Sequence, residues 1–178
     1  EMLRSLVGSE MCIRDSYNKR SLNRYLEDVF EDCLLNEKEL GILFLDIDHF
    51  KQLNDRYGHG RGDEGICAVA DTLKKCFPED YVARYGGDEF LVVMTGRDRE
   101  YAEEHARQLC MGIRECEIPN EDSSVEPWLT ISVGGVCAIP KEPNRVWDFL
   151  SAADKTLYDQ KNEQKGKVRF YVGEGQYL

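Results

Sequence analysis

The chain is poor in the features that would mark several common protein classes. Its seven cysteines lie scattered at positions 12, 33, 67, 76, 110, 116 and 137, and no two form a CxxC pair. An odd, dispersed set argues against a zinc ribbon or a disulfide framework. Most of these thiols read as small core residues in a reducing cytosol. No run approaches the roughly 18 apolar residues of a membrane span. The N-terminus lacks a signal-peptide pattern. Positive charge is scarce, with 23 Lys and Arg against 34 Asp and Glu and a net charge of −11. That balance disfavours a general nucleic-acid binder, whose affinity comes from phosphate neutralisation by Lys and Arg. No membrane contact is expected from this segment either. Phosphates handled by such a chain call for a metal and a few local cations. Repeats and low-complexity segments are also missing.

What is present fits one domain: 178 residues, 42% hydrophobic and 32% charged. Helical spacing of Leu22, Tyr25, Leu26, Val29, Phe30, Cys33 and Leu34 predicts a helix over 18–37. The near-continuous apolar run 42–47 fits a central strand. A short helix over 50–57 and a longer one over 62–76 follow, then strands at 81–84 and 89–94. A helix over 98–116, a polar loop over 118–127, a strand over 128–139 broken at Gly134-Gly135, a helix over 146–160 and a strand over 168–172 complete the pattern. Helices and strands mix without strict alternation and two strands form a hairpin. The expected fold is α/β in the broad α+β sense, with a mostly antiparallel, mixed central sheet flanked by helices.

Three segments carry chemistry. Between the paired strands sits Gly86-Gly87-Asp88-Glu89. Two glycines between strands suit a type I′ turn, with positive φ at both centres. Taken alone, the two acids could be nothing more than a solvated shoulder. Asp46, however, ends an otherwise apolar strand in FLDIDHF, and such a carboxylate is costly unless paired or cation-bound. If that strand lies beside the hairpin, Asp46, Asp88 and Glu89 converge, and Mg2+ would relieve their repulsion. The third segment, NDRYGHGRGDE from Asn54 to Glu64, places amide, imidazole and carboxylate groups with three glycines in a connection between helices. Such groups can read a purine edge. Asp48 and Asp55 read equally well as helix caps.

Together these segments resemble the GGDEF family of diguanylate cyclases. LDIDHFKQLNDRYGHGRGDE and ARYGGDEF match its two signatures, and ISVGG and AADKTLYDQK its weaker later ones, over roughly Tyr17 to Val172. The resemblance implies a fold like the palm of nucleotidyl cyclases and polymerases. It implies a nucleotidyltransferase that condenses two GTP into cyclic di-GMP, a bacterial second messenger, with release of two pyrophosphates. Carried over residue by residue, the metal ligands are Asp46, the Ile47 carbonyl and Asp88, with Glu89 as the other signature acid. Asp88 or Glu89 accepts the proton of the GTP 3′-hydroxyl. Lys51 stabilises phosphate charge, Asn54 and Asp63 read guanine, and His59 contacts the nucleotide. Gly86 and Gly87 let the backbone approach the phosphates, and Lys161 and Lys165 hold the terminal ones. The implied cofactor is Mg2+, with Mn2+ as an alternative, two ions per active site. The implied partner is a second copy, in a transient homodimer that brings two GTP face to face. The alternative is a catalytically silent module that binds GTP or cyclic di-GMP.

The chain departs from the family in two places. Residues 1–16 do not match its opening D-x-L-T-G-L-x-N-R and read as a foreign segment or a linker ahead of a catalytic domain over 17–178. The R-x-x-D product site becomes FPED, with Phe77 in place of Arg and Asp80 retained. The resemblance therefore implies weak product inhibition, unless Lys74, Lys75 or Arg84 substitutes. The expected location is the bacterial cytoplasm, as the cytoplasmic portion of a larger sensor protein.

Overall fold

The computed structural model describes residues 19–172, so the expectations for residues 1–16 lie outside it. The elements run α1 (Lys19–Leu35), β1 (Leu40–Ile47), α2 (Phe50–Tyr57), α3 (His59–Cys76), β2 (Tyr81–Arg84), β3 (Glu89–Thr95), α4 (Arg99–Glu115), β4 (Ile131–Ala138), α5 (Val146–Glu163) and β5 (Val168–Phe170). The five strands form one sheet in the order β2-β3-β1-β4-β5. All neighbours are antiparallel except β4 and β5, which are parallel.

β1 is central because both its faces are apolar. Leu43, Leu45 and Ile47 enter one core with residues of α2, α3 and α4, including Leu53, Ile66, Leu73 and Leu109. Leu40, Ile42 and Phe44 enter a second core with Leu26 of α1 and Phe149 and Leu157 of α5. The alternation of a strand splits the run between two layers of helices. Local chemistry sets several ends. Asp98 caps α4 by accepting from the Tyr101 N–H at 2.8 Å. Arg145 opens α5 with its N–H donating to Asp148 at 2.7 Å.

Two expectations fail here. β4 is not broken at Gly134-Gly135 but runs through both. A Cβ on Gly134 would strike the Leu157 amide nitrogen and the Ala153 carbonyl, so this glycine lets α5 lie close on the sheet. α3 begins at His59 rather than at Gly62, so Gly60 and Gly62 are helical and Gly58 alone, at φ 83°, joins α2 to α3. Among the described residues no helix is long and apolar enough to cross a membrane.

Candidate active site

β1 runs antiparallel to β3, so the end of the first meets the start of the second. Asp46 and Glu89 are direct cross-strand partners and project from the same face of the sheet. One residue on, the Ile47 N–H donates to the Asp88 carbonyl at 3.2 Å. The hairpin that supplies these acids is not a type I′ turn. Among the described residues the glycines with positive φ are 58, 96 and 166, and neither Gly86 nor Gly87 is among them. The connection folds back on Glu89, whose carbonyl accepts from the N–H of Tyr85 at 2.8 Å and of Gly86 at 3.3 Å. The Arg84 guanidinium donates to the Gly86 carbonyl at 3.1 Å and to that of Gly87 at 2.6 Å. Glycine is needed at 86 for space, because a Cβ there would stand 2.7 Å from Glu89 Oε2. A Cβ at Gly87 would meet nothing within 4 Å, so that side of the turn is open.

The acids crowd one another. Burial, followed by the opposing effect of Lys161 and the fields of Asp88 and Asp48, leaves the Asp46 carboxyl above the usual carboxylate range. Burial, followed by Asp46, Asp88 and Asp154, pushes Glu89 up as well. One cation answers them. Lys161 Nζ lies 2.7 Å from Asp46 Oδ1. It lies one helical turn beyond Leu157, where α5 is pressed onto β4, so the packing at Gly134 delivers the ammonium to the sheet end. Asp46, Asp88 and Glu89 share one electrostatic neighbourhood. Among the described residues, though, no three His, Cys, Asp or Glu side chains form a group able to hold a metal ion.

Asp48 is not a helix cap. His49 occupies the N-cap position of α2, in a left-handed conformation at φ 55°. Asp48 is fully buried, at 0% exposure, and accepts from Thr130 Oγ1 at 2.9 Å and Ser132 Oγ at 2.7 Å. Ser132 Oγ also receives the Gly166 N–H at 3.1 Å, and the Gly166 carbonyl accepts from Arg114 at 3.0 Å. These bonds anchor the bend between α5 and β5 that carries Lys165.

The remaining predicted residues lie on elements that leave the same end of the sheet. Lys51 is exposed in the first turn of α2, and His59 and Asp63 are exposed on α3. Asn54 is half-buried, and its Oδ1 is buried without a hydrogen-bond partner. Among the described residues no hydrogen bond or ion pair joins Lys51, Asn54, His59 or Asp63 to the acids. Away from this end, Phe77 is a core residue at 1% exposure. Asp80 accepts from the Tyr101 hydroxyl at 3.0 Å. Burial raises the Asp80 carboxyl, opposed by the Tyr101 hydroxyl, by Arg97, which stands over the Tyr101 ring, and by His105.

A sequence profile described as "Diguanylate cyclase, GGDEF domain" matches residues 15–167. The chain belongs to the GGDEF family of diguanylate cyclases. Its GGDEF domain is similar to the probable diguanylate cyclase DgcC of Escherichia coli strain K12, 33% identical over 153 residues, 85% of this chain and 40% of that protein. It is also similar to diguanylate cyclase A of Treponema denticola, 33% identical over 133 residues, 74% of this chain and 35% of that protein. The chain thus spans about two fifths of the length of the curated relatives it matches. Among solved structures, the GGDEF domain of DgcB from Caulobacter crescentus in complex with c-di-GMP has the same fold. Its TM-score is 0.77 at 22% identity, with 89% of this chain and 98% of that one covered. Sequence reasoning does not single out Asp154 or the hydroxyls of Thr130 and Ser132 for this GGDEF domain. Asp154 sits in the quoted AADKTLYDQK segment, on the same face of α5 as Lys161 and about two turns before it, and helical spacing alone could have flagged it.

Proposed function

We propose that this GGDEF domain is an active diguanylate cyclase that condenses two GTP into cyclic di-GMP and two pyrophosphates. The observation that carries the reading is the pairing of Asp46 with Glu89 at one sheet end, with the Lys161 ammonium on Asp46. Crowded acids with raised pKa values, offset at Asp46 by the Lys161 ammonium, make a site that gains from added positive charge. The acids are not gathered into a ligand group in this arrangement, but carboxylates and a carbonyl are the hard oxygen donors that suit a divalent cation. Asp46, the Ile47 carbonyl and Asp88, with Glu89, are the residues that would hold Mg2+ or Mn2+. When bound, the cation supplies charge for the phosphate oxygens of an in-line displacement.

The chain's own groups do the rest. Each 3′-oxygen forms a bond to the α-phosphorus of the other GTP, the bond between α- and β-phosphates breaks, and pyrophosphate leaves. Asp88 or Glu89 takes the hydroxyl proton, and burial raises the Glu89 carboxyl toward the range of a better base. Lys51, Lys161 and Lys165 balance phosphate charge. The open side of Gly87 lets the backbone meet the phosphates. Asn54 and Asp63 read guanine, with His59 against the nucleotide, so ATP is rejected because adenine leaves those polar groups unpaired. One copy offers a place for one GTP, so two copies must meet for each turnover.

The test is incubation of the purified chain with GTP and Mg2+, with product resolved by chromatography over a hundredfold range of protein concentration. Cyclic di-GMP forms, and activity per mole rises with concentration. Binding of GTP without product would instead make the chain a silent nucleotide-binding module. A flat specific activity from a monomer would remove the two-copy mechanism.

A further inference from the structure

The first turn of α3 holds two glycines, Gly60 and Gly62, in positions where helix propensity disfavours them. The two are not equivalent. A Cβ on Gly60 would meet nothing within 4 Å. A Cβ on Gly62 would overlap Asn54 Oδ1 and stand 2.9 Å from Asn54 Cγ and 3.2 Å from Nδ2. Gly62 does not have the positive φ that would itself call for glycine. It is buried, whereas Gly60 is exposed. What the missing side chain at 62 leaves is therefore the room that the Asn54 amide fills.

The Asn54 amide is itself unusual. Its Oδ1 is buried against Gly62 and receives no hydrogen bond. Its backbone is held in the last turn of α2, where the carbonyl accepts the Gly58 N–H at 2.8 Å. A glycine inside a helix and an unpartnered buried carbonyl each cost stability. Two local costs meeting at one contact point to a function for that contact.

We infer that Gly62 is the specificity-determining seat of Asn54: the absent Cβ sets the orientation in which the amide meets a nucleobase. The inference rests on the reading of Asn54 as a guanine contact. Gly62 acts through Asn54 and is a positioning residue, not a catalytic one.

The test is calorimetric titration of GTP and ATP into the parent chain and into Gly60→Ala, Gly62→Ala, Asn54→Ala and the Gly62→Ala/Asn54→Ala double variant. Helix propensity by itself predicts that alanine at either glycine raises the melting temperature and leaves binding alone. The inference predicts that Gly62→Ala weakens GTP binding about tenfold or more and narrows the gap between GTP and ATP. Gly60→Ala leaves both unchanged. In the Asn54→Ala background the methyl group that Gly62→Ala adds has free space, so it costs nothing further and raises the melting temperature. This arm also decides the case in which Gly62→Ala alone does not fold, since the double variant then folds and binds GTP as Asn54→Ala does. Equal losses from Gly62→Ala in both backgrounds overturn the inference. So does a Gly62→Ala protein that keeps parental GTP affinity while Asn54→Ala loses it. Parental GTP affinity in Asn54→Ala overturns the reading of Asn54 on which the inference rests.

Discussion

Asp46 and Asp48 stand two residues apart at the end of the same strand, and the fold treats them in opposite ways. Asp48 is sealed from solvent and receives two hydroxyl donors, from Thr130 and Ser132. Its surroundings are neutral hydrogen-bond donors shaped to one carboxylate. Asp46 is partly exposed, faces Glu89 across the ladder, and shares its field with Asp88 and Asp48. Its one partner is a lysine from a different layer. A buried carboxylate satisfied by fixed neutral donors serves the fold, because its charge is settled with nothing added. A carboxylate packed among other carboxylates is left with a charge deficit that a ligand can fill.

Breaking each side should hit a different property. Asp46→Ala and Asp88→Ala should each lower turnover by about a thousandfold or more, since the proposed mechanism uses both acids for charge placement at the phosphates. Their melting temperatures should stay near that of the parent. Near-normal cyclic di-GMP production in either variant would remove the assignment of these acids.

Asp48→Ala should act on stability first. It leaves the Thr130 and Ser132 hydroxyls buried without their acceptor, at a cost of about 3 kcal/mol. Denaturant unfolding reads this directly. An unchanged midpoint would mean that the two hydroxyls find other acceptors, and the contrast between the two aspartates would fail.

Lys161→Met sharpens the comparison without touching either aspartate. The ammonium occupies Asp46 and so competes with any added cation. Mn2+ titrated without nucleotide, followed by electron paramagnetic resonance, should bind about tenfold more tightly to the variant. GTP should bind more weakly, because a phosphate partner is gone. Weaker Mn2+ binding would show that Lys161 supports the acid pair instead of blocking it.

The smallest effect concerns Glu89, whose folded pKa lies above its unfolded value of about 4.3. For such a carboxyl the unfolded chain ionises first, so stability falls as pH rises through the interval from the unfolded to the folded value. At neutral pH the ionised group is a net cost, partly screened by solvent. Glu89→Gln should raise the melting temperature at pH 7 by about 1–2 °C. The gain should shrink as pH drops to well below the unfolded value, at about pH 3, where the parent carboxyl is protonated in both states. A gain independent of pH would place its origin outside the carboxyl charge.

Much of this molecule was legible in one dimension. Apolar alternation and spacing located every element within a few residues, and α2 at 50–57 without error. The convergence of Asp46 with the hairpin acids followed from a carboxylate at the end of an apolar run, and the strand register pairs Asp46 with Glu89. Local information failed where glycine had two explanations. Gly86, Gly134 and Gly62 read as a turn former, a strand break and the first residue of a helix. Each also makes room for another group: Glu89 Oε2 within the hairpin, the backbone of α5, and the Asn54 amide.

The sequence by itself determined the strand and helix periodicities, the acidic signature and the absence of an arginine at the Phe77 position, since each depends on residues close together in the chain. Only the tertiary structure decided which acid is sealed among neutral donors and which stands among other acids. Asp48 finds its donors 82 and 84 residues away, and Asp46 finds its cation on the last helix. The charge state and burial of a carboxylate depend on whatever the fold brings within a few ångströms, and chain spacing does not encode that distance.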